Sequence, residues 1–234
     1  MDQWNFQPPT PSSLGDHDVP LDGDELVGRR VAILVSGSIA AFTTPYLARA
    51  LRRRGAVVQA FCSGEALRYV SEETLEWATT NPVVTRLGSD AEHLSDANPF
   101  DVYLLAPASY NTIGKLAHGI ADTVLTATLA SALGRMERGE ASVLVAPAMH
   151  GSMHNSILVA NCRHLESIGV RVIPPRDDYG KHNLPREADL VAEVIAARPR
   201  PVRDAPPTVR PDVRVRLPRR SPGAAQVVAR WGRW

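Results

Sequence analysis

The chain has 234 residues, 44% of them hydrophobic, and its 26 basic side chains nearly cancel 25 acidic ones. That length and apolar content support one good core and leave no room for two large domains. A net charge near zero excludes the overall basic character of a nucleic-acid binder, and no apolar run approaches the roughly 20 residues of a membrane span. Neither nucleic acid nor membrane is therefore an expected partner.

Residues 1–26 are rich in Asp, Pro and Ser and read as a flexible leader. They carry no basic start followed by an apolar stretch, so a secretory signal is not expected. A strand is predicted over 30–35, closed by Ser36, Gly37 and Ser38. Tyr46, Leu47, Ala50 and Leu51 then recur at helical spacing up to the arginines and Gly55. Pro45 would fall inside that helix if it began near Ser38, which predicts a kinked or late-starting first turn. Residues 56–62 form the second strand, and 65–70 a second helix. After an irregular stretch, a strand over 101–106 leads to a helix over 112–133 and a strand over 142–146. A helix over 154–168, a strand over 170–173 and a helix over 187–197 complete the alternation.

Strands that are continuous apolar runs, alternating with helices, predict an α/β fold: a single-domain, doubly wound parallel sheet covered on both faces, over residues 27–197. From 198 to 234 prolines and arginines dominate, which reads as a disordered tail. Cys62 and Cys162 have no metal-type spacing, no metal site is visible, and the pair fits a reducing, cytoplasmic setting.

Three segments carry polar residues where such a fold places ligands. The turn of Gly37, Ser38 and Ile39 is a phosphate-cradle candidate, because small residues let backbone N–H groups approach an anion at a helix start. It departs from the G-x-G-x-x-G spacing of a dinucleotide site. Ser109, Tyr110, Asn111 and Thr112 follow a buried strand and open a helix, so they can cap that helix, meet a ligand, or do both. His93 lies sixteen residues before Ser109, just ahead of the strand. A further segment runs Pro147, Ala148, Met149, His150, and a Gly- and Pro-rich stretch around Gly180 and Lys181 follows it.

The Ser109–Thr112 segment resembles the Pro-Ala-Ser-Ala-Asn-Thr motif of the flavin-containing cysteine decarboxylases. That family includes phosphopantothenoylcysteine decarboxylase and the peptide decarboxylases of the epidermin and mersacidin type. The resemblance covers roughly residues 28–197 and implies a Rossmann-like flavoprotein that binds flavin mononucleotide (FMN). The matching cofactor positions are Gly37, Ser38, Ile39, Ser63, Ser109, Tyr110, Asn111, Thr112 and Ala148. Lys115, Gly119 and Asp122 continue the family pattern. Tyr110 stands where the family usually has alanine.

By the same resemblance His93 matches the catalytic His of a His-Ile-Glu-Leu segment, and an imidazole is suited to take a proton near neutral pH. Asn111, Met149, His150 and Lys181 match substrate-side positions. His150 replaces the Asn of a Pro-Ala-Met-Asn motif. The stretch 174–185 matches a mobile substrate clamp, without the cysteine that many bacterial and plant members carry there. The implied reaction is oxidative decarboxylation of a cysteine-derived carboxylate, with phosphopantothenoylcysteine in coenzyme A biosynthesis first. Decarboxylation of a peptide's C-terminal cysteine, or a non-catalytic flavin-binding regulatory subunit, are the alternatives. The partners implied are a small-molecule or peptide thiol and further copies of the chain, as a homotrimer or a dodecamer of trimers.

Overall fold

In the computed structural model, residues 5–89, 94 and 98–197 are described. Strands β1 (Arg30–Val35), β2 (Val57–Cys62), β3 (Val102–Ala108), β4 (Ser142–Pro147) and β6 (Arg171–Val172) form one sheet in the order β2-β1-β3-β4-β6. All neighbours are parallel, with Arg30 opposite Val57, Val31 opposite Val102 and Val102 opposite Ser142. The central strands are buried nearly throughout because both faces are covered.

Alternation along each strand divides the core in two. Val31, Ile33, Val35, Val58, Leu104 and Leu144 pack on one face with α1 (Thr44–Arg53), α2 (Glu72–Thr79) and α6 (Glu187–Ala196). Ala32, Leu34, Phe61, Leu105, Val143 and Val145 pack on the other with α3 (Tyr110–Ala117), α4 (Val124–Glu137) and α5 (Ser156–Ser167). Each fully buried Leu or Ile here contributes about 1.5–3 kcal/mol relative to exposure. The doubly wound parallel sheet expected from the sequence is present.

The late-starting first turn expected at Pro45 is present: a 3-10 helix at Ile39–Thr43 precedes α1, so Pro45 falls in the first turn of the α-helix, where its missing N–H costs nothing. Other local expectations are corrected. The helix expected over 65–70 is only a 3-10 turn at Ala66–Arg68. The α-helix lies beyond it, capped by Ser71, whose Oγ accepts from the Thr74 N–H. The single helix expected over 112–133 is two. Gly119 at φ +66° ends the first, Thr123 caps the second with a capping box, and a 2.7 Å Lys115–Asp122 ion pair spans the turn.

The segment read as a flexible leader is held down over its later part. Leu26 is fully buried, and Asp22 and Leu26 donate backbone hydrogen bonds to Arg53 and Arg54 at the end of α1.

A second, three-stranded antiparallel sheet stands beside the first. It joins β5 (Met149–His150), β8 (Lys181–Asn183) and β7 (Arg176–Asp178) in the order β5-β8-β7. Asp178 pairs with Lys181, so the connection is a two-residue turn. Tyr179 and Gly180 occupy it at φ +52° and +67°, the left-handed pair that a tight hairpin turn requires. The stretch expected to be a clamp loop is thus a hairpin docked on β5. Gly151 N–H donates to the Gly180 carbonyl at 3.1 Å, an approach so close that a Cβ on Gly151 would collide with that oxygen.

Candidate functional site

The chain runs from β1 outward to β2, then back across to β3, so strand order reverses between β1 and β3. Loops leaving the C-terminal ends of these strands diverge there and leave a crevice, the place where open α/β sheets bind ligands. Ser36 directly follows β1 at this edge. It is buried, its Oγ–H donates to the Pro107 carbonyl at 2.6 Å, and its Oγ accepts from the Ser109 N–H at 2.8 Å. One hydroxyl therefore ties the end of β1 to the loop that opens α3.

The expected cofactor residues converge on this edge. Ser38 caps the 3-10 helix, and its Oγ–H donates to the Ala148 carbonyl at 3.4 Å. Among the described residues the Gly37 and Ser38 backbone N–H groups have no partner, so the turn offers donors to an anion. Gly37 is glycine for a steric reason: a Cβ there would lie 2.6 Å from the Glu65 Cβ in the turn after β2. Ser63, in that same turn, donates its N–H to the Val35 carbonyl at 3.1 Å and accepts from Ala66 N–H through Oγ. Ile39 projects outward, 68% exposed.

On the β3 side Ser109 caps α3, with its Oγ 3.1 Å from the Thr112 hydroxyl. Thr112 is buried, whereas the Asn111 amide is exposed and has no hydrogen-bond partner among the described residues. Tyr110 donates its hydroxyl to Asn155 Oδ1 at 3.2 Å, so it links α3 to the cap of α5. Ala148 is buried, and its N–H donates to the Ala108 carbonyl. An exposed amide, a hydroxyl cap and free turn N–H groups around a crevice form a donor set suited to a phosphate and a heterocyclic ring.

Beyond Ala148 the chain enters β5, and the expected substrate residues appear on it. His150 lies opposite Lys181, and Met149 opposite His182. Facing residues of an antiparallel pair share one side of the sheet, with Cβ atoms about 4.5–5.5 Å apart. His150 and Lys181 thus stand together. His150 Nδ1 accepts from the Ser152 N–H at 3.1 Å. In the neutral ring the hydrogen then sits on Nε2, which is left to donate outward. Lys181 is exposed and has no ion-pair partner among the described residues. A cleft of about 410 Å³ connects the hairpin to the 3-10 helix, lined by Ile39, Phe42, Tyr46, Arg176, Asn183 and Pro185 among others.

His93, the expected base, lies outside the described residues. Neither cysteine offers a thiolate. Burial, with Glu72 adding to it, pushes the Cys62 thiol up to about 12, and burial raises Cys162 as well. The cluster missed by the sequence reading is on the hairpin, where His182 bonds both Asp177 and His154. Reading Tyr179 and Gly180 as a two-residue turn would have placed Asp177 opposite His182.

Residues 22–198 match the Flavoprotein family. The chain belongs to that family. It is 37% identical over 176 residues to a coenzyme A biosynthesis bifunctional protein CoaBC of Thermococcus kodakarensis, a match covering 73% of this chain and 42% of that protein. The chain therefore spans less than half the length of that relative. It is 33% identical over 154 residues to a probable phosphopantothenoylcysteine decarboxylase of Streptococcus mutans, covering 63% of this chain and 83% of that one. Among solved structures, the FMN-dependent cysteine decarboxylase SpaF superposes with a TM-score of 0.61 at 26% identity, covering 72% of this chain and 98% of that chain.

Proposed function

We propose that this flavoprotein binds FMN in the β1–β3 crevice and catalyses oxidative decarboxylation of phosphopantothenoylcysteine to phosphopantetheine, a step of coenzyme A biosynthesis. The observation that carries the reading is the placement of His150 and Lys181. They sit opposite each other on β5 and β8, with His150 two residues beyond Ala148, whose carbonyl accepts from Ser38. Two donors for anionic groups thereby adjoin the flavin crevice, and the substrate carries two anionic groups, a carboxylate and a phosphate. The names and coverage of the relatives from Thermococcus and Streptococcus support the same substrate.

Gly37, Ser38, Ile39 and Ser63 hold the cofactor from the β1–β2 side, and Ser109, Tyr110, Asn111, Thr112 and Ala148 from the β3–β4 side. The unpaired N–H groups of Gly37 and Ser38 fit its phosphate, and the Asn111 amide can meet the ring and the substrate together. When bound, FMN supplies a two-electron acceptor, so the cysteine thiol portion becomes a C=S group able to take the electron pair released with carbon dioxide. His93 is the base that removes the thiol proton. His150 Nε2–H donates to the substrate carboxylate beside Met149, and Lys181 meets the phosphate as a point charge. The enzyme works as a homotrimer in the cytoplasm.

Mass spectrometry of the FMN-loaded protein with phosphopantothenoylcysteine tests this. Loss of carbon dioxide with a saturated thiol product is expected. No reaction there, with turnover of a peptide ending in cysteine, would transfer the assignment to the peptide substrate. Flavin binding with neither reaction would leave a regulatory subunit. A monomeric mass for the active protein would refute the trimer.

A further inference from the structure

Three titratable side chains at the hairpin form a continuous hydrogen-bonded chain. Asp177 Oδ1 lies 2.6 Å from His182 Nδ1, and His182 Nε2 lies 2.9 Å from His154 Nδ1, with the two rings 5.0 Å apart and tilted by 51°. An ionised carboxylate only accepts, so His182 Nδ1 carries a hydrogen. In the neutral pair His182 Nε2 is then a lone pair, and the hydrogen between the rings belongs to His154 Nδ1. That leaves His154 Nε2 bare, on an exposed side chain, with no partner among the described residues.

A proton arriving at that atom makes an imidazolium whose charge is shared with His182 and balanced by Asp177. A carboxylate backing an imidazole acts by the same logic in hydrolytic triads. The inward nitrogens are consumed by one another, and among the described residues no grouping able to hold a metal is present.

The chain of rings is placed beside the substrate segment. His182 faces Met149 across β8 and β5. His154 directly precedes Asn155, which caps α5 and accepts from Tyr110, the neighbour of Asn111. The other titratable groups on these elements are Arg176, Asp178, Tyr179 and Lys181 on the hairpin and His150 on β5. In the strand register Asp178, Lys181 and His150 share the opposite side of the small sheet.

We propose that His154, backed by His182 and Asp177, is the proton donor that follows decarboxylation; this rests on the decarboxylase reading. The C–COO⁻ bond breaks, carbon dioxide leaves, and the electron pair passes into an enethiolate. His154 Nε2–H then protonates the carbon that lost carbon dioxide, re-forming a C=S group open to reduction. One carbon dioxide leaves and one proton enters, and no electrons are transferred in this step. The neutral pair is recharged with a proton from water.

The test compares wild-type holoenzyme with His154→Gln, His182→Gln and Asp177→Asn on phosphopantothenoylcysteine in deuterated water. It follows carbon dioxide release, the ratio of saturated thiol to enethiol, and deuterium at that carbon. Asp177 is 71% exposed, so its exchange leaves the fold intact. Loss of a general acid costs about 10²–10⁴-fold, so saturated product should fall by at least ~10²-fold in His154→Gln while carbon dioxide release persists and enethiol accumulates. Nitrogen-15 spectra of the histidine rings should show His154 protonated at Nδ1 in the wild type, and not in the other two variants.

Wild-type product ratios in all three variants would overturn the assignment while leaving the decarboxylase reading standing. If the wild type releases no carbon dioxide, the decarboxylase reading itself fails, and the proposed role falls with it even where the spectra show the rings bonded.

Discussion

Replacing Ser36 with Ala removes the single hydroxyl that joins the ends of β1 and β3. Its Oγ–H bond to the Pro107 carbonyl is buried, and its acceptance of the Ser109 N–H is half-buried. The Pro107 carbonyl keeps a weaker partner in the Ser36 N–H at 3.3 Å, but the Ser109 N–H loses its only one among the described residues. A buried donor left unpaired costs about 1–3 kcal/mol, and a lost ordinary hydrogen bond about 0.5–1.5 kcal/mol. The variant should therefore lose roughly 2–4 kcal/mol. With a urea slope of about 1–3 kcal/mol per molar, its midpoint should fall by roughly 1–2 M. The comparison belongs in flavin-free protein, because a ligand that binds only the native state masks part of the loss. Ser109 also caps α3, so flavin affinity should weaken in parallel. A loss below about 0.5 kcal/mol with unchanged flavin affinity would refute the assignment of Ser36 as the tie that positions the crevice.

Gly37→Ala forces a Cβ to 2.6 Å from Glu65 and must shift the turn after β2; it should cost about 1–3 kcal/mol and lower flavin affinity, read by fluorescence titration. Gly151→Ala collides with the Gly180 carbonyl and should undock the hairpin, seen as faster amide exchange over 176–183 with the main sheet unaffected. Asn155→Ala removes both the α5 cap and the Tyr110 partner; a thermal or urea melt should show a loss of about 1–2 kcal/mol. The Cys62 thiol, ordinarily near 9.0 and raised to about 12 by burial, stays protonated in the folded chain when the unfolded chain has ionised. Its contribution is complete below pH 9.0 and lost between there and about 12. Stability of Cys62→Ala should thus decline less steeply than wild type from pH 9 to 11, and equal slopes would contradict the buried-thiol assignment.

Much of this molecule is legible along the chain because the information is local. The apolar runs at 30–35, 102–106 and 142–146 are strands covered on both faces, and no other role suits such continuous burial. The polar residues after those strands, Gly37, Ser38, Ser109 and Asn111, lie on one edge because a parallel sheet sends every C-terminal strand end the same way. Helix boundaries were less legible. Gly119 and Thr123 each perform a stop and a start that apolar periodicity alone runs straight through.

The sequence by itself determined the alternation of strands and helices and which residue types follow the strand ends. Only the tertiary structure decided strand order, which puts Ser36 of β1 within bonding distance of Pro107 and Ser109, more than seventy positions away. It alone set His150 against Lys181, and His154 against His182 twenty-eight positions on. Spacing cannot reveal such pairs. They depend on how two distant backbones register, and that is settled by packing and by a two-residue turn rather than by the side chains that benefit from it.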